Sequence, residues 1–138
     1  MITTLNHSTS EKRILIVNCP IESYTEYIVS VSSFLAQSDL FLSIYIFDNS
    51  SATEPLRLLP QIPISKIFTS IEWTSLGKET EEHPFGFVIG GHEDGTLSLW
   101  DITKILKNIK NSSISTDYGC LNQKKFFQST VYSLACND

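Results

Sequence analysis

The amino-acid sequence predicts an all-β protein assembled from repeated sheets, and three observations carry that reading. Apolar and polar residues alternate with period two along most of the chain. Asp94-Gly95 lies between two strand-like runs, a strong short-range hairpin signal. Two strand patterns recur further along the chain, as internal repeats do.

Taken in order, the first strand is read at 13–17, where Ile14, Leu15, Ile16 and Val17 form an apolar, branched run ahead of Pro20. A second begins at 27–32, and a third at 40–47 runs into the turn cluster Asp48-Asn49-Ser50-Ser51. Pro55, Pro60 and Pro63 then mark a linker, because proline excludes the interior of a regular strand or helix. Residues 67–73 alternate sides, 85–89 are a buried-strand run, and 96–100 complete the hairpin after Asp94-Gly95. Only 102–110 has helical spacing, with Ile102, Ile105, Leu106 and Ile109 on one face, and is read as a connector.

The repeats narrow the class. Ile44-Tyr45-Ile46-Phe47-Asp48 is echoed 53 residues later by Leu97-Ser98-Leu99-Trp100-Asp101, and Phe68-Thr69-Ser70-Ile71-Glu72-Trp73 is echoed 63 residues later from Val131 to Cys136. These offsets exceed the roughly 40–45 residues of a WD repeat, the surplus lying in polar linkers. Trp100-Asp101 supplies the WD dipeptide at the end of a third-type strand. The fold class is therefore WD-repeat β-propeller blades. Blade one is placed at about 13–50, blade two at about 64–103, and the first strand of a third at about 126–138. A blade needs about four strands and a propeller about four to eight blades, so the chain is expected to be a fragment or to find its missing blades on a partner. Such an open array exposes strand edges and apolar surface and is expected to aggregate alone. The repeat signature is assigned to Trp73, Gly90, Gly91, Asp94, Gly95, Trp100 and Asp101.

Composition excludes several function classes. The 138 residues carry 10 Lys+Arg against 15 Asp+Glu, a net charge of −5, which offers no broad electrostatic surface for nucleic acid. An apolar fraction of 41% with 18% charged residues argues against a disordered tail, and no apolar run is long enough to span a membrane. The first residues lack the basic and apolar regions of a secretory signal. Cys19, Cys120 and Cys136 are widely spaced with no C-x-x-C pair and read as free thiols; the sequons at Asn6, Asn49 and Asn111 are accounted for by abundant serine.

The segment Gly86-Phe87-Val88-Ile89-Gly90-Gly91-His92-Glu93-Asp94-Gly95-Thr96-Leu97-Ser98-Leu99-Trp100-Asp101-Ile102-Thr103-Lys104-Ile105 resembles the N-terminal WD-repeat region of the large subunit of the outer COPII coat, the Sec thirty-one family. Ser65-Lys66-Ile67-Phe68-Thr69-Ser70-Ile71-Glu72-Trp73 is similar to that family's strand ending in tryptophan, and Ser38 to Phe47 is similar to its first blade. The chain departs from the pattern at Asn18-Cys19-Pro20, where the family usually has a Trp-Ser-Pro-like turn, and at Ile89, where a small residue is common. The resemblance implies a non-catalytic scaffold in endoplasmic reticulum to Golgi transport, located on the cytosolic face of the endoplasmic reticulum and on coated vesicles. It also implies a small WD-repeat partner of the Sec thirteen type, other coat subunits, and no cofactor. A generic WD-repeat adaptor of another cytosolic complex shares the fold and is the alternative.

Candidate chemistry is sparse. His92-Glu93-Asp94 is the one cluster that suggests an enzyme, but a single imidazole falls short of a metal set, and a polar hairpin tip accounts for it. Gly90-Gly91 lacks the surroundings of a phosphate loop and is read as turn glycine at a strand end. Lys104, Lys107, Lys110, Lys124 and Lys125 suggest a face toward anionic lipid or the solvated side of a connector helix, the second being the reading adopted. Glu79-Thr80-Glu81-Glu82 reads as an exposed loop, and Phe47, Trp73 and Trp100 as packing between blades. No catalytic, metal or cofactor residue is assigned.

Overall fold

The computed structural model describes residues 2–7, 12–34, 40–48, 50, 53–75, 81–109 and 114–135, with 2–7, 12, 13 and 32–34 by backbone alone. The chain is all-β, as expected. Among the described residues it forms strands β1 (Ile2–His7), β2 (Lys12–Asn18), β3 (Tyr27–Phe34), β4 (Leu40–Phe47), β5 (Leu56–Leu58), β6 (Ile62–Pro63), β7 (Phe68–Thr74), β8 (Phe87–His92), β9 (Thr96–Asp101) and β10 (Cys120–Lys125), with one α-helix, α1 (Ile102–Asn108), and a short 3-10 helix at Glu22–Tyr24. Two antiparallel sheets result. The first runs β1-β2-β3-β4-β5 with β6 also paired to β4; the second runs β10-β9-β8-β7.

The two sheets repeat one plan. β4, which carries the earlier copy of the echoed pattern, lies between β3 and β5, as β9 lies between β8 and β10. On this alignment β2, β3 and β4 correspond to β7, β8 and β9. β5 and β6 together form an interrupted outer strand, β5 facing Tyr45–Phe47 and β6 facing Phe41 and Leu42. The proline-marked linker is thus partly an edge strand, the one place in a sheet where proline leaves no donor missing from an interior ladder. The order of strands in sequence is the order in space from β1 to β4 and from β7 to β10, so each pairing needs only a short connection.

Each sheet buries one face fully. Leu15, Val17, Val29, Val31, Leu42 and Ile44 alternate along β2, β3 and β4 and share one apolar cluster with Ile71, Trp73, Val88 and Trp100 of the second sheet. Strands β2 and β7 run against one another where the sheets meet. At one end of this seam the rings of Tyr24, Tyr27 and Phe85 pack together, Tyr24 and Phe85 at 4.1 Å between centroids. The opposite faces are also apolar but only half-buried: Ile14, Ile16, Ile28, Phe41 and Tyr45 on the first sheet, Ile89, Leu97 and Leu99 on the second. A sheet with one face to water alternates apolar with polar; these do not.

Several expected boundaries shift. Blade two was placed at 64–103, yet the fourth strand of its sheet is β10, beyond the helix at Cys120–Lys125. The first sheet begins before residue 13, with β1. Over 126–135, where a third blade was expected to open, the described residues carry no strand pairing. Instead this segment crosses the end of the second sheet. The amides of Phe126 and Phe127 donate to the Gly95 carbonyl, Val131 N donates to the His92 carbonyl, and the Thr69 hydroxyl donates to the Val131 carbonyl. The chain thereby returns from the outer strand β10 to the inner strands β7 and β8. It passes where a strand has no neighbour to pair with among the described residues. Lys124 and Lys125 lie on β10, not on a connector helix; Lys104 and Lys107 are the exposed side of α1.

Burial sets the expected mutational response. Ile44 is almost wholly buried between the sheets, so Ile44→Ala is expected to lower unfolding free energy by about 2–5 kcal/mol. Leu121→Ala, at a half-exposed position, is expected to stay within about 0.5 kcal/mol. Urea denaturation of the two variants checks the contrast.

Candidate functional site

Of the seven repeat-signature residues, Trp73 lies on β7 and the other six lie on the neighbouring β8–β9 hairpin. Its turn is a three-residue loop, Glu93-Asp94-Gly95, closed by Gly95 N donating to the His92 carbonyl at 3.2 Å. Gly95 has φ +88, and a Cβ there would collide with the Phe127 carbonyl. Only glycine meets both conditions. Asp94 Oδ1 accepts from Thr96 N at 3.0 Å, and its Oδ2 pairs with Lys66 Nζ at 2.7 Å. The Lys66 and Thr96 hydrogen bonds hold the Asp94 carboxyl well below its usual range. This tip ties the turn to the segment that enters β7.

Gly90 and Gly91 do not serve as turn residues. Both lie inside β8, and their smallness is a matter of packing. A Cβ on Gly90 would run into the Phe68 ring, and one on Gly91 into Ser70 Oγ and Val131. The two glycines let an aromatic ring lie on one face of the strand and the returning chain on the other.

His92, Glu93 and Asp94 do not form a joint cluster. Glu93 and Asp94 are exposed, whereas His92 is 2% exposed with both ring nitrogens engaged. Nδ1 lies 3.0 Å from the Ile67 carbonyl, which can only accept, so Nδ1 carries the proton. Nε2 lies 2.6 Å from Ser98 Oγ, and Trp100 Nε1 donates to that same oxygen at 2.8 Å. The proton order is fixed: indole N–H to serine oxygen, serine O–H to Nε2, Nδ1–H to the carbonyl. The Phe68 ring packs edge-on to His92 at 4.5 Å between centroids. This relay joins the entrance of β7, the end of β8 and the middle of β9 across one buried face.

Asp101, the second residue of the dipeptide, is a structural anchor. Its Oδ1 accepts from Lys104 N at 3.2 Å and caps α1, while Oδ2 lies 3.1 Å from His83 Nδ1. Its amide donates to the Gly119 carbonyl, which fixes the approach to β10. Trp73 Nε1 donates to the Phe85 carbonyl at 2.7 Å. Trp73 and Trp100 are buried between the sheets, but Phe47 is 44% exposed at the end of β4. Of the acidic stretch, Glu81 and Glu82 are exposed and Glu79 and Thr80 lie outside the described residues. Among the described residues Cys19 and Cys120 are in no disulfide, and burial pushes the Cys120 thiol up; Cys136 lies outside the described residues. No helix among the described residues is long and apolar enough to cross a membrane.

Ser98, Lys66, His83 and the Ile67 carbonyl are the participants that sequence reading misses. Ser98 was legible in principle. Once the loop is fixed at 93–95, the register sets Gly90 opposite Ser98 and puts His92 on the same face.

Two outcomes follow from the relay. Burial lowers the His92 pKa from its ordinary 6.5, outweighing the Ile67 carbonyl and Asp94, which act upward, while Lys66 adds to the lowering. Above about pH 6.5 both folded and unfolded imidazoles are neutral and His92 adds no slope. As pH falls below that value the unfolded chain binds a proton that the folded chain resists, and stability drops until the folded ring protonates. His92→Gln is expected to flatten this part of the stability profile between pH 7 and 5, read by thermal melts. Trp100→Ala is expected to cost about 3–5 kcal/mol. Trp100→Phe keeps most of the packing but leaves Ser98 without its donor and is expected to cost about 1–3 kcal/mol; denaturant melts distinguish the two.

No family model matches the chain. Part of it is similar to curated protein transport proteins: SEC31 homolog B of Arabidopsis thaliana, 35% identical over 60 residues, 44% of this chain; SEC31 of Chaetomium globosum, 37% identical over 67 residues, 47% of the chain; and SEC31 of Coccidioides immitis, 32% identical over 69 residues, 50% of the chain. The match covers 5% of each relative's own length. Up to half of this chain is therefore a SEC31-like region.

Proposed function

We propose that this chain contributes two blades of a WD-repeat β-propeller in a non-catalytic scaffold subunit of a COPII-type vesicle coat. It acts in endoplasmic reticulum to Golgi transport at the cytosolic face of the endoplasmic reticulum. The observation that carries the reading is the SEC31-like region of up to half the chain. Two stacked meander sheets of one plan support it. Their outward faces support it as well, since Ile14, Ile16 and Ile28 on one side and Ile89, Leu97 and Leu99 on the other are apolar and half-buried. In a ring of blades each sheet is covered on both faces, and further sheets, from the same polypeptide or a partner, cover these.

The partners this reading assigns are proteins: a small WD-repeat subunit of the Sec thirteen type and other coat subunits, with no nucleic acid and no cofactor. His92 is given a structural role in it, because both its nitrogens are spent on the relay. Immunoisolation of the tagged protein from its own cells, followed by mass spectrometry and membrane fractionation, tests it. Co-isolation of coat subunits with a membrane-associated pool is the expected result. Recovery with the components of an unrelated cytosolic complex and no coat subunit overturns it in favour of a generic adaptor.

A further inference from the structure

We propose that the outer edge of the second sheet, strand β10, receives an extended protein segment of alternating acidic and apolar residues by strand addition. Among the described residues β10 is hydrogen-bonded to β9 alone; past a register irregularity between Cys120 and Asn122, its far side presents backbone donors and acceptors in regular order over Asn122–Lys125, without proline. The corresponding edge of the first sheet is no such template, because β5 is three residues long and Pro60 separates it from β6.

Charge selects the partner. The chain as a whole carries −5, yet residues 118–135 contain two lysines, Lys124 and Lys125, and no carboxylate. Lys124 Nζ sits 5.3 Å from the centre of the Phe126 ring, which holds the ammonium at the edge. Beside it a cavity of about 200 Å³ is lined by Ile89, Leu97, Leu99, Asn122, Lys124 and Phe126. The floor is aliphatic and the mouth is cationic. Leu121, Phe126 and Phe127 extend the apolar surface at 48%, 57% and 50% exposure. The Phe126 and Phe127 amides are fixed on the Gly95 carbonyl, so the aromatic pair is presented by an anchored backbone. The acidic residues of the β8–β9 loop compete little: Asp94 is held by Lys66, and Glu93 stands at the tip. A strand laid along β10 sets every second side chain over the Leu97–Leu99 face, where an aliphatic group fills the cavity beside Lys124; the carboxylates between them lie on the opposite face, the face of Lys125.

The probe is a short fluorescein-labelled peptide of alternating valine and glutamate, titrated into the purified protein by fluorescence anisotropy. The matching valine–lysine peptide and phosphatidylserine vesicles serve as competing probes. The expected result is saturable binding of the glutamate peptide alone, weakened about tenfold or more by Lys124→Glu/Lys125→Glu, with unchanged circular dichroism. Leu97→Asp/Leu99→Asp is expected to weaken it while leaving the salt dependence in place. The proposal is overturned by equal binding of both peptides, by an affinity indifferent to the lysine reversals, by binding to vesicles but to neither peptide, or by no binding at all, in which case the lysines only guard the edge against pairing. The segment and a neighbouring sheet compete for the Ile89, Leu97 and Leu99 face, so the titration is made on this chain without further blades, and its failure leaves the co-isolation test of the coat reading unaffected.

Discussion

The second sheet depends on one buried imidazole. His92 is the point at which the carbonyl entering β7, the end of β8 and two side chains of β9 meet. A buried polar group without a partner costs about 1–3 kcal/mol, and here three such groups, an indole N–H, a serine hydroxyl and an imidazole, satisfy one another in a single order. Around that relay the packing has little freedom. Phe68 lies against the His92 ring on one side and needs Gly90 to be bare; Val131 closes over Gly91 on the other face. The glycines, the histidine and the tryptophan therefore form one unit, although only the loop Asp94-Gly95 has the look of a motif.

Much of this was legible in the sequence, and the parts that were not share physical causes. β2 and β8 were found as short apolar runs, β4 as a strand-like run ahead of a turn cluster, β7 by its alternation and β9 by the hairpin signal before it, and β3 was begun at 27–32. β10 was missed because an edge strand need bury neither face: Cys120-Leu121-Asn122-Gln123-Lys124-Lys125 has no alternation to read. The same holds for β5 and β6: Pro55 precedes β5, Pro60 parts the two and Pro63 lies in β6, and prolines so placed argue against an interior strand. β1, Ile2-Thr3-Thr4-Leu5-Asn6-His7, carries no such pattern either. Gly90 and Gly91 were assigned to the turn from chain position alone; their reason is the closeness of Phe68 and Val131, which only the fold brings near. The dyad His83–Asp101 spans 18 residues and no local spacing announces it.

The two-sheet unit is unusual in being apolar on both outward faces while each sheet carries its own internal ties. The first sheet relies on aliphatic interdigitation across Val29, Val31, Leu42 and Ile44; the second adds polar anchors at His92 and Asp101. A unit of that kind behaves as a brick. Its shape is fixed by contacts within it and just across the seam of β2 and β7, and its outward faces are free to specify neighbours.

The return path of the chain over the hairpin tip carries a consequence for the order of events in folding. The segment after β10 docks on the Gly95, His92 and Thr69 groups, all of which exist as binding positions only when β7, β8 and β9 have already paired. Local pairings close short loops cheaply, whereas joining Thr69 to Val131 closes a loop several times longer. The crossing thus acts as a latch set last. Loss of that latch would free the segment after β10 while the pairings of β7, β8 and β9 stay closed.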